Sequence, residues 1–351
     1  MAKKKLAVGL DIGSSGVKLV QLKEKKGGYA LQAFGTAPLP PEAIVDGALM
    51  NSGAIVSAIQ DLVAEHKVKA KDVAIGIGGH SVIIKKISMP RMTQEELDES
   101  IQWEAEQYIP FDVKDVNIDT QILSPEANAA GQMDVLLVAA KKDMINDYTS
   151  VCAEAGLTAT VVDVDAFAVQ NAFEANYDPD GQTVVLINVG AAVSNINILS
   201  GGATSFTRDI TMGGNAFTEE IQKQLNISYE EAEALKIGGQ GETDAVVPQE
   251  VERVIQAVAE QMGGEIQRSL DFFASTSGDA RIGRVYVSGG TARIPALQKV
   301  LEARAGVRVE LLNPFKNVDV DNRRFDPAVL LAAAPSAAVG VGLALRSAGD
   351  K

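Results

Sequence analysis

The sequence predicts an α/β protein made of two related halves, and three observations carry that reading. Alternating apolar positions, the signature of strands, recur at 6–10, 17–22, 29–34, 73–77, 82–88, 117–123 and 134–139, and again at 184–189, 194–199, 204–210, 284–288 and 307–311. Helical spacing fills the intervals, at 51–66, 93–108, 142–155, 165–176, 215–225, 229–237, 249–275 and 294–304. The opening theme then repeats. "LAVGLDIGSSGVKLVQL" (6–22) is strand, small-residue turn, strand, with a third strand at 29–34; "VLINVGAAVSNINIL" (185–199) is the same, with a third strand at 204–210. Strands followed by helices, twice over, indicate duplicated α/β halves.

The elements between have local reasons. Segment 77–150 reads as an insertion in the first half. Its helix 93–108 starts with a capping box, Thr93 and Glu96, and stops before Pro110. Leu97, Ile101, Ala105 and Tyr108 form its apolar stripe, and Trp103 falls off it, suited to a neighbouring subdomain or to a partner. The seam between halves lies at "NYDPDGQ" (176–182). The uncharged run 328–345 is rich in Ala, Gly and Ser and holds Pro335, which suits a buried helix from about Ser336 better than a membrane span.

A chain of 351 residues with 46% hydrophobic content supports about two domains. The net charge of −14 argues against a broad nucleic-acid or anionic-lipid surface, and Lys3-Lys4-Lys5 is too short to change that. Cys152 is the single cysteine, which excludes an internal disulfide and fits a reducing compartment. The N-terminus runs straight into a patterned strand, unlike a signal peptide, so a cytoplasmic protein is expected. His66, His80 and Cys152 show no metal-ligand spacing.

The chemistry concentrates in the turns. "DIGSSGVK" (11–18) lacks the spacing of a Walker loop and leads into a strand, not a helix, which also rules out a dinucleotide fingerprint. It is either a plain hairpin or a phosphate-holding turn. In the second case Gly13, Ser14 and Ser15 supply amides and hydroxyls, Lys18 a point charge, and Asp11 a carboxylate suited to magnesium through its water shell. "MGGNAFTEEI" (212–221) sets Gly213 and Gly214 at a helix start. "VYVSGGTARIPALQKVLE" (285–302) is strand, Gly-Gly turn, helix, and "EEAEALK" (230–236) puts Glu233 and Lys236 on one helical face.

Together these resemble the phosphate-1, phosphate-2 and adenosine motifs of the actin, hexokinase and heat-shock chaperone superfamily. "GGTARIP" with "LQKVL", preceded by "RSLD" (268–271), is similar to the chaperones' adenosine region. Within the superfamily the chain resembles the PilM family of type IV pilus assembly proteins, most specifically in "QWEAEQYIPFD" (102–112), with 155–173 and "SLDFF" (269–273) also similar. The resemblance implies an actin-like ATPase fold of duplicated RNase H-like halves with an FtsA-type inserted subdomain. Subdomain 1A would occupy 1–76 and 151–180, 1C would occupy 77–150, and domain 2 would occupy 181–335 with 2B about 215–280. Residues 336–351 would return to 1A.

It also implies ATP or ADP with Mg in a central cleft. Gly190, Ala191 and Ser194 would join the first turn at the phosphates, as would Gly213 and Gly214. Glu233 and Lys236 would lie near the ribose, Arg268 and Ser269 beside the adenine, and Gly289, Gly290, Thr291 and Arg293 against the nucleotide. Asp163, Asp165 or Gln170 would place an attacking water. Asn188 stands where catalytic members carry Asp, so slow or absent turnover is expected. The implied partner is the N-terminal cytoplasmic peptide of PilN, a bitopic inner-membrane protein, with other pilus platform and motor components and a possible homo-oligomer. The peptide is expected between the first-half core and the insertion, near Trp103. Alternatives are a small-molecule kinase and an FtsA-like filament scaffold. The latter expects a basic amphipathic tail, and the sequence closes on "LRSAGDK".

Overall fold

The computed structural model describes residues 5–124, 131–238, 248–277 and 281–350, so Lys3 and Lys4 of the basic N-terminal cluster lie outside the described residues. The first half opens with an antiparallel meander, β1 (Val8–Gly13), β2 (Gly16–Lys25) and β3 (Gly28–Pro38). A small hairpin, β4 (Ile44–Val45) and β5 (Ala48–Leu49), leads to α1 (Ser52–Glu65), whose first turn is capped by the Asn51 side chain accepting from Ala54 N at 3.0 Å. β6 (Asp72–Ile77) then lies parallel to β1. The insertion carries β7 (Val82–Pro90), α2 (Gln94–Ala105), β8 (Val116–Ser124) and β9 (Gln132–Lys141). The first half resumes with α3 (Lys142–Glu154), β10 (Thr158–Val164) and α4 (Asp165–Asn176).

The second half repeats the plan. β11 (Thr183–Val189), β12 (Ser194–Ser200) and β13 (Ala203–Ile210) form the meander, and α5 (Gly214–Leu225), α6 (Tyr229–Gly238) and α7 (Gln249–Thr276) follow. β14 (Ile282–Ser288), α8 (Pro295–Ala305), β15 (Val309–Leu311), β16 (Val318–Asp319), α9 (Pro327–Ala333) and α10 (Ala338–Ala344) complete it. The first sheet is ordered β10-β6-β1-β2-β3-β16 and the second β13-β12-β11-β14-β15. Outward from β1 and from β11, each has the meander on one side and two parallel strands on the other. The duplication expected from the two hairpins is present in the topology.

β1 and β2 bury residues on both faces. Leu10, Ile12, Val17 and Leu19 pack toward α1 and α3, while Val20 and Leu22 pack toward the C-terminal helices. Between the halves lies a shared core on α4 and α10, with Phe173, Tyr286 and Leu343 at its centre. Phe173 stacks on Tyr177 at 5.4 Å and tilts against Tyr286 at 5.1 Å. Small residues make this possible. A Cβ on Gly342 would sit 1.7 Å from the Ala168 carbonyl oxygen, and one on Gly9 would sit 2.1 Å from that of Gly340. The run Pro327–Ala344 has the length and apolarity to cross a bilayer, yet 61% of it is buried inside the fold. Its Ala and Gly content serves close helix packing.

Three points alter or extend the expectations. Strand β10 escaped the periodicity because a bulge between Ala159 and Val161 breaks its alternation. The apolar C-terminal run holds the buried helix expected after Pro335 and, before it, a second helix that was not expected. In chain order it is α9, capped by Asp326 at 2.8 Å from Ala328 N, then a tight turn around Pro335, then α10. The insertion is also shorter than 77–150. Its sheet, ordered β7-β9-β8, and α2 have a core of their own around Leu97, Ile101, Met133 and Leu137. Met144, Tyr148, Val151 and Cys152 of α3 instead pack into the first-half core. α2 begins at the expected box, Glu96 N donating to Thr93 Oγ1 at 3.2 Å and Thr93 N to Glu96 Oε2 at 2.8 Å.

Candidate functional site

A cleft of about 370 Å³ opens between the two halves, walled by the β1–β2 and β11–β12 turns. That is within the usual range for small-ligand sites. The first turn is tight because Gly13 pairs directly with Gly16. Gly13, Ser14, Ser15 and Lys18 line the cleft, and Lys18 Nζ reaches Asp11 Oδ2 at 3.2 Å. Gly190 and Ala191 line it from the opposite side.

The second turn is braced from behind. Gly190 N donates to Val193 O at 3.0 Å, and Thr291 Oγ1 donates to Gly190 O at 2.8 Å. The start of α5 docks on the same turn, with Gly214 N donating to Gly190 O at 2.9 Å and Asn215 N to Ala191 O at 2.8 Å. The Gly214 amide, expected at the phosphates, is therefore spent on the turn. Gly213 lies behind it, where a Cβ would come within 2.5 Å of Ala191 O. Its smallness serves packing. Gly214 still lines the cleft.

Gly289, Gly290, Thr291 and Arg293 complete one wall. Gly289 has φ +90° and passes so close to β11 that a Cβ would meet Val189 O at 2.2 Å, so no other residue fits there. Lys236 Nζ donates to Glu233 Oε2 at 2.5 Å, to Thr218 Oγ1 at 2.8 Å and to Gly214 O at 3.2 Å, tying α6 to the start of α5. Burial pushes the Lys236 ammonium down from its ordinary value, and Glu233 opposes the shift.

On the floor, Asp165 begins α4 against Gly76 and Gly78, where a Cβ on Gly76 would fall 2.2 Å from its Oδ1. Its carboxyl is pushed up to about 8, by burial first and then by the Asp11 and Asp209 carboxylates. At neutral pH it holds a proton. Asn188 Oδ1 accepts from Ser288 Oγ at 3.3 Å, while its Nδ2 donates to Asn195 Oδ1 at 3.3 Å.

Several residues expected here are elsewhere. Gln170 Oε1 accepts from Asn197 Nδ2 at 3.0 Å and Thr204 Oγ1 at 2.7 Å, off the cleft lining. Asp163 pairs with Arg346 at 3.2 Å and is pushed up by burial, also off the lining. Ser269 donates to Glu265 O within α7 at 3.1 Å, Arg268 pairs with Glu265, and neither lines the cleft. Ser194 supports the second turn from behind, donating to Met212 O at 2.6 Å. Trp103 stands out from α2, 78% exposed and away from the cleft. Asp46 and Gly47 also line the cleft, from a β4–β5 hairpin that has no periodic signal, and Tyr229 and Ile237 line it from the two ends of α6, where helical periodicity alone does not mark a site.

The lining suits a phosphorylated ligand, because the turns offer small residues and amides beside Lys18, Lys236 and Arg293. A divalent cation fits less directly. Among the described residues no three His, Cys, Asp or Glu side chains converge as a cage, so phosphate and water oxygens would have to complete its shell.

Comparison with known proteins places the architecture. The PilM-PilN type IV pilus biogenesis complex contains a chain that superposes with a TM-score of 0.88 at 29% identity, covering 99% of this chain and 100% of that one. FtsA, the cell division protein of Streptococcus pneumoniae, is 23% identical over 382 residues, spanning 95% of this chain and 80% of FtsA. MreB5 of Spiroplasma citri, bound to AMPPNP, matches with a TM-score of 0.52 at 14% identity, covering 96% and 94% of the two chains. The fold is actin-like. A family model described as type IV pilus assembly protein PilM matches residues 9–348, leaving neither half nor the insertion outside it, and the chain therefore belongs to the PilM family.

Proposed function

We propose that this type IV pilus assembly protein binds ATP, with magnesium, in the interdomain cleft and takes the N-terminal cytoplasmic peptide of PilN between its first-half core and its insertion. The observation that carries the nucleotide reading is the pair of hairpin turns facing one cleft, with Lys18 beside the first. Amides and hydroxyls of Gly13–Ser15 and the turn at Gly190–Ala191 would hold phosphates, Lys18 would neutralise them, and Asp11 would reach magnesium through water. Glu233 and Lys236 would border the ribose, and Gly289–Thr291 with Arg293 the base. The nucleotide would supply a phosphoanhydride, and the chain contributes little to breaking it. Asn188 carries no charge, and protonated Asp165 cannot accept a proton until it loses its own. The protein therefore acts as a slow or silent ATPase whose ligand sets the cleft. MreB5 in the AMPPNP-bound form shares this fold, which supports the reading.

The PilN reading is supported by the similarity to the chain of the PilM-PilN complex. A disordered tail needs a groove with apolar anchors and backbone partners. The insertion offers two edge strands, β7 and β8, and exposed Trp103. The chain would then sit on the cytoplasmic face of the inner membrane through its partner. Thermal unfolding tests the nucleotide half: at about 100 times the dissociation constant, ATP should add roughly 2.7 kcal/mol. Lys18→Ala should remove most of that gain, and an unshifted wild type would sink the reading.

A further inference from the structure

We propose that Asp209 is a positioning residue that latches the second-half meander to the root of the insertion, so that the cleft and the insertion move together. The coupling part rests on the nucleotide reading above, and the latch does not.

Asp209 lies opposite Asn195 in the β12–β13 ladder. Its Oδ1 accepts from Asn195 Nδ2 at 2.7 Å. Its Oδ2 accepts from the backbone N of Gly79 at 2.8 Å, in the loop that leaves β6 for the insertion. Two residues along, Thr211 Oγ1 is 3.1 Å from His80 Nε2 in the same loop. Three residues after Gly79, Val82 begins β7, so the loop is the root of the inserted sheet.

The contact continues into the cleft. Asn195 Oδ1 accepts from Asn188 Nδ2 at 3.3 Å, and Asn188 Oδ1 accepts from Ser288 Oγ at 3.3 Å. Ser288 directly precedes the Gly289–Gly290 turn, and Asn188 and Asn195 both line the cleft. An unbroken series of hydrogen bonds thus runs from one cleft wall, across the floor, to the insertion. A carboxylate suits its end, because both neighbours are N–H donors. An amide at 209 could meet both only if the Asn195 and Asn188 amides turned over with it. Asp209 and His80 are exposed, so water can replace the contact when the cleft opens. That makes the latch reversible.

The experiment uses the full chain with spin labels on Gln102→Cys in the insertion and Glu219→Cys in α5, both exposed positions. Buried Cys152, its thiol pushed up to about 12 by burial, stays unlabelled. The readout is the distance distribution with and without ATP, and ATP affinity is measured on the same samples by calorimetry. Without ATP, Asp209→Ala should broaden the distribution. The exchange of Asn195→Asp with Asp209→Asn should restore it, since the amide then at position 209 can accept from Gly79 N and donate to the carboxylate at 195. With ATP, wild type and the exchanged pair should shift, and Asp209→Ala should lose the shift while still binding ATP. An unchanged ligand-free distribution in Asp209→Ala overturns the latch. A broadened one that shifts as in wild type overturns the coupling. Wild type that binds no ATP defeats the nucleotide reading and the coupling, and the ligand-free comparison still decides the latch. Should Asp209→Ala fail to fold, Asp209→Leu, which keeps the shape of the side chain and offers no acceptor, takes its place with the same outcomes.

Discussion

Asn188 donates to Asn195 and accepts from Ser288, each at 3.3 Å, and since the Ser288 hydroxyl can serve either way, the amide orientation is set from the Asn195 side. A carboxylate there would face the Asn195 oxygen. Turning the Asn195 amide over would answer that, but its oxygen would then oppose Asp209. Asn188→Asp alone should therefore cost about 1–3 kcal/mol of stability, the usual penalty of an unsatisfied buried polar group. Adding Asp209→Asn supplies a donor at the far end and should recover most of that loss. Urea unfolding of the two variants checks this; equal midpoints would mean that the network does not constrain the site.

Asp165 permits a pH test. Its folded carboxyl, at about 8, lies above the ordinary value of 3.8, so between those limits the native state holds a proton that the unfolded chain has released. Stability from this group is full below the lower value and is lost as pH rises through the upper one. Asp165→Asn mimics the protonated form and should raise the melting temperature more at pH 9 than at pH 5. A gain of the same size at both pH values would show that the carboxyl is not held protonated.

At the scale of elements, α10 sets propensity against packing. Alanine is favoured over glycine inside a helix by about 1 kcal/mol, so Gly342→Ala looks stabilising in the sequence. The Cβ, however, would meet the Ala168 carbonyl at 1.7 Å, and backbone cannot rotate away. Overpacking of about 1–3 kcal/mol should win, lowering the melting temperature. The same contrast explains which elements were legible. The capping box and apolar stripe of α2 are local signals, and the helix starts where they place it. β10 is bulged and α9 is only Pro327–Ala333, so neither shows a full period.

For the whole molecule, the insertion is a body set on a narrow stem. Lys141 N donates to Ser81 O at 3.0 Å where β9 ends beside β7, so the chain leaves and returns at nearly one point. Excising 82–141 and joining Ser81 to Lys142 should leave the first-half core, including α3, folded. That protein should keep its ATP-dependent thermal shift and lose binding of the PilN tail. Tail binding at full affinity would move the partner site off the insertion. By contrast, Phe173→Ala, in the core shared by both halves, should cost about 3–5 kcal/mol and loosen them together.

The sequence by itself determined the duplicated α/β plan, the two facing turns, Lys18 and the Gly289–Gly290 turn, because periodicity and glycine placement act over a few residues. It also carried the family, through "QWEAEQYIPFD" and the motifs around it. Only the tertiary structure decided that Gln170, Arg268 and Ser269 stand off the cleft, that Gly213 serves packing, and that α3 belongs to the first half. It alone joined Asp209 to Gly79, 130 positions apart in the chain. The physical reason is that a helix or strand period specifies which face is buried. What that face meets depends on how distant elements pack, and hydrogen-bond partners are chosen at that stage.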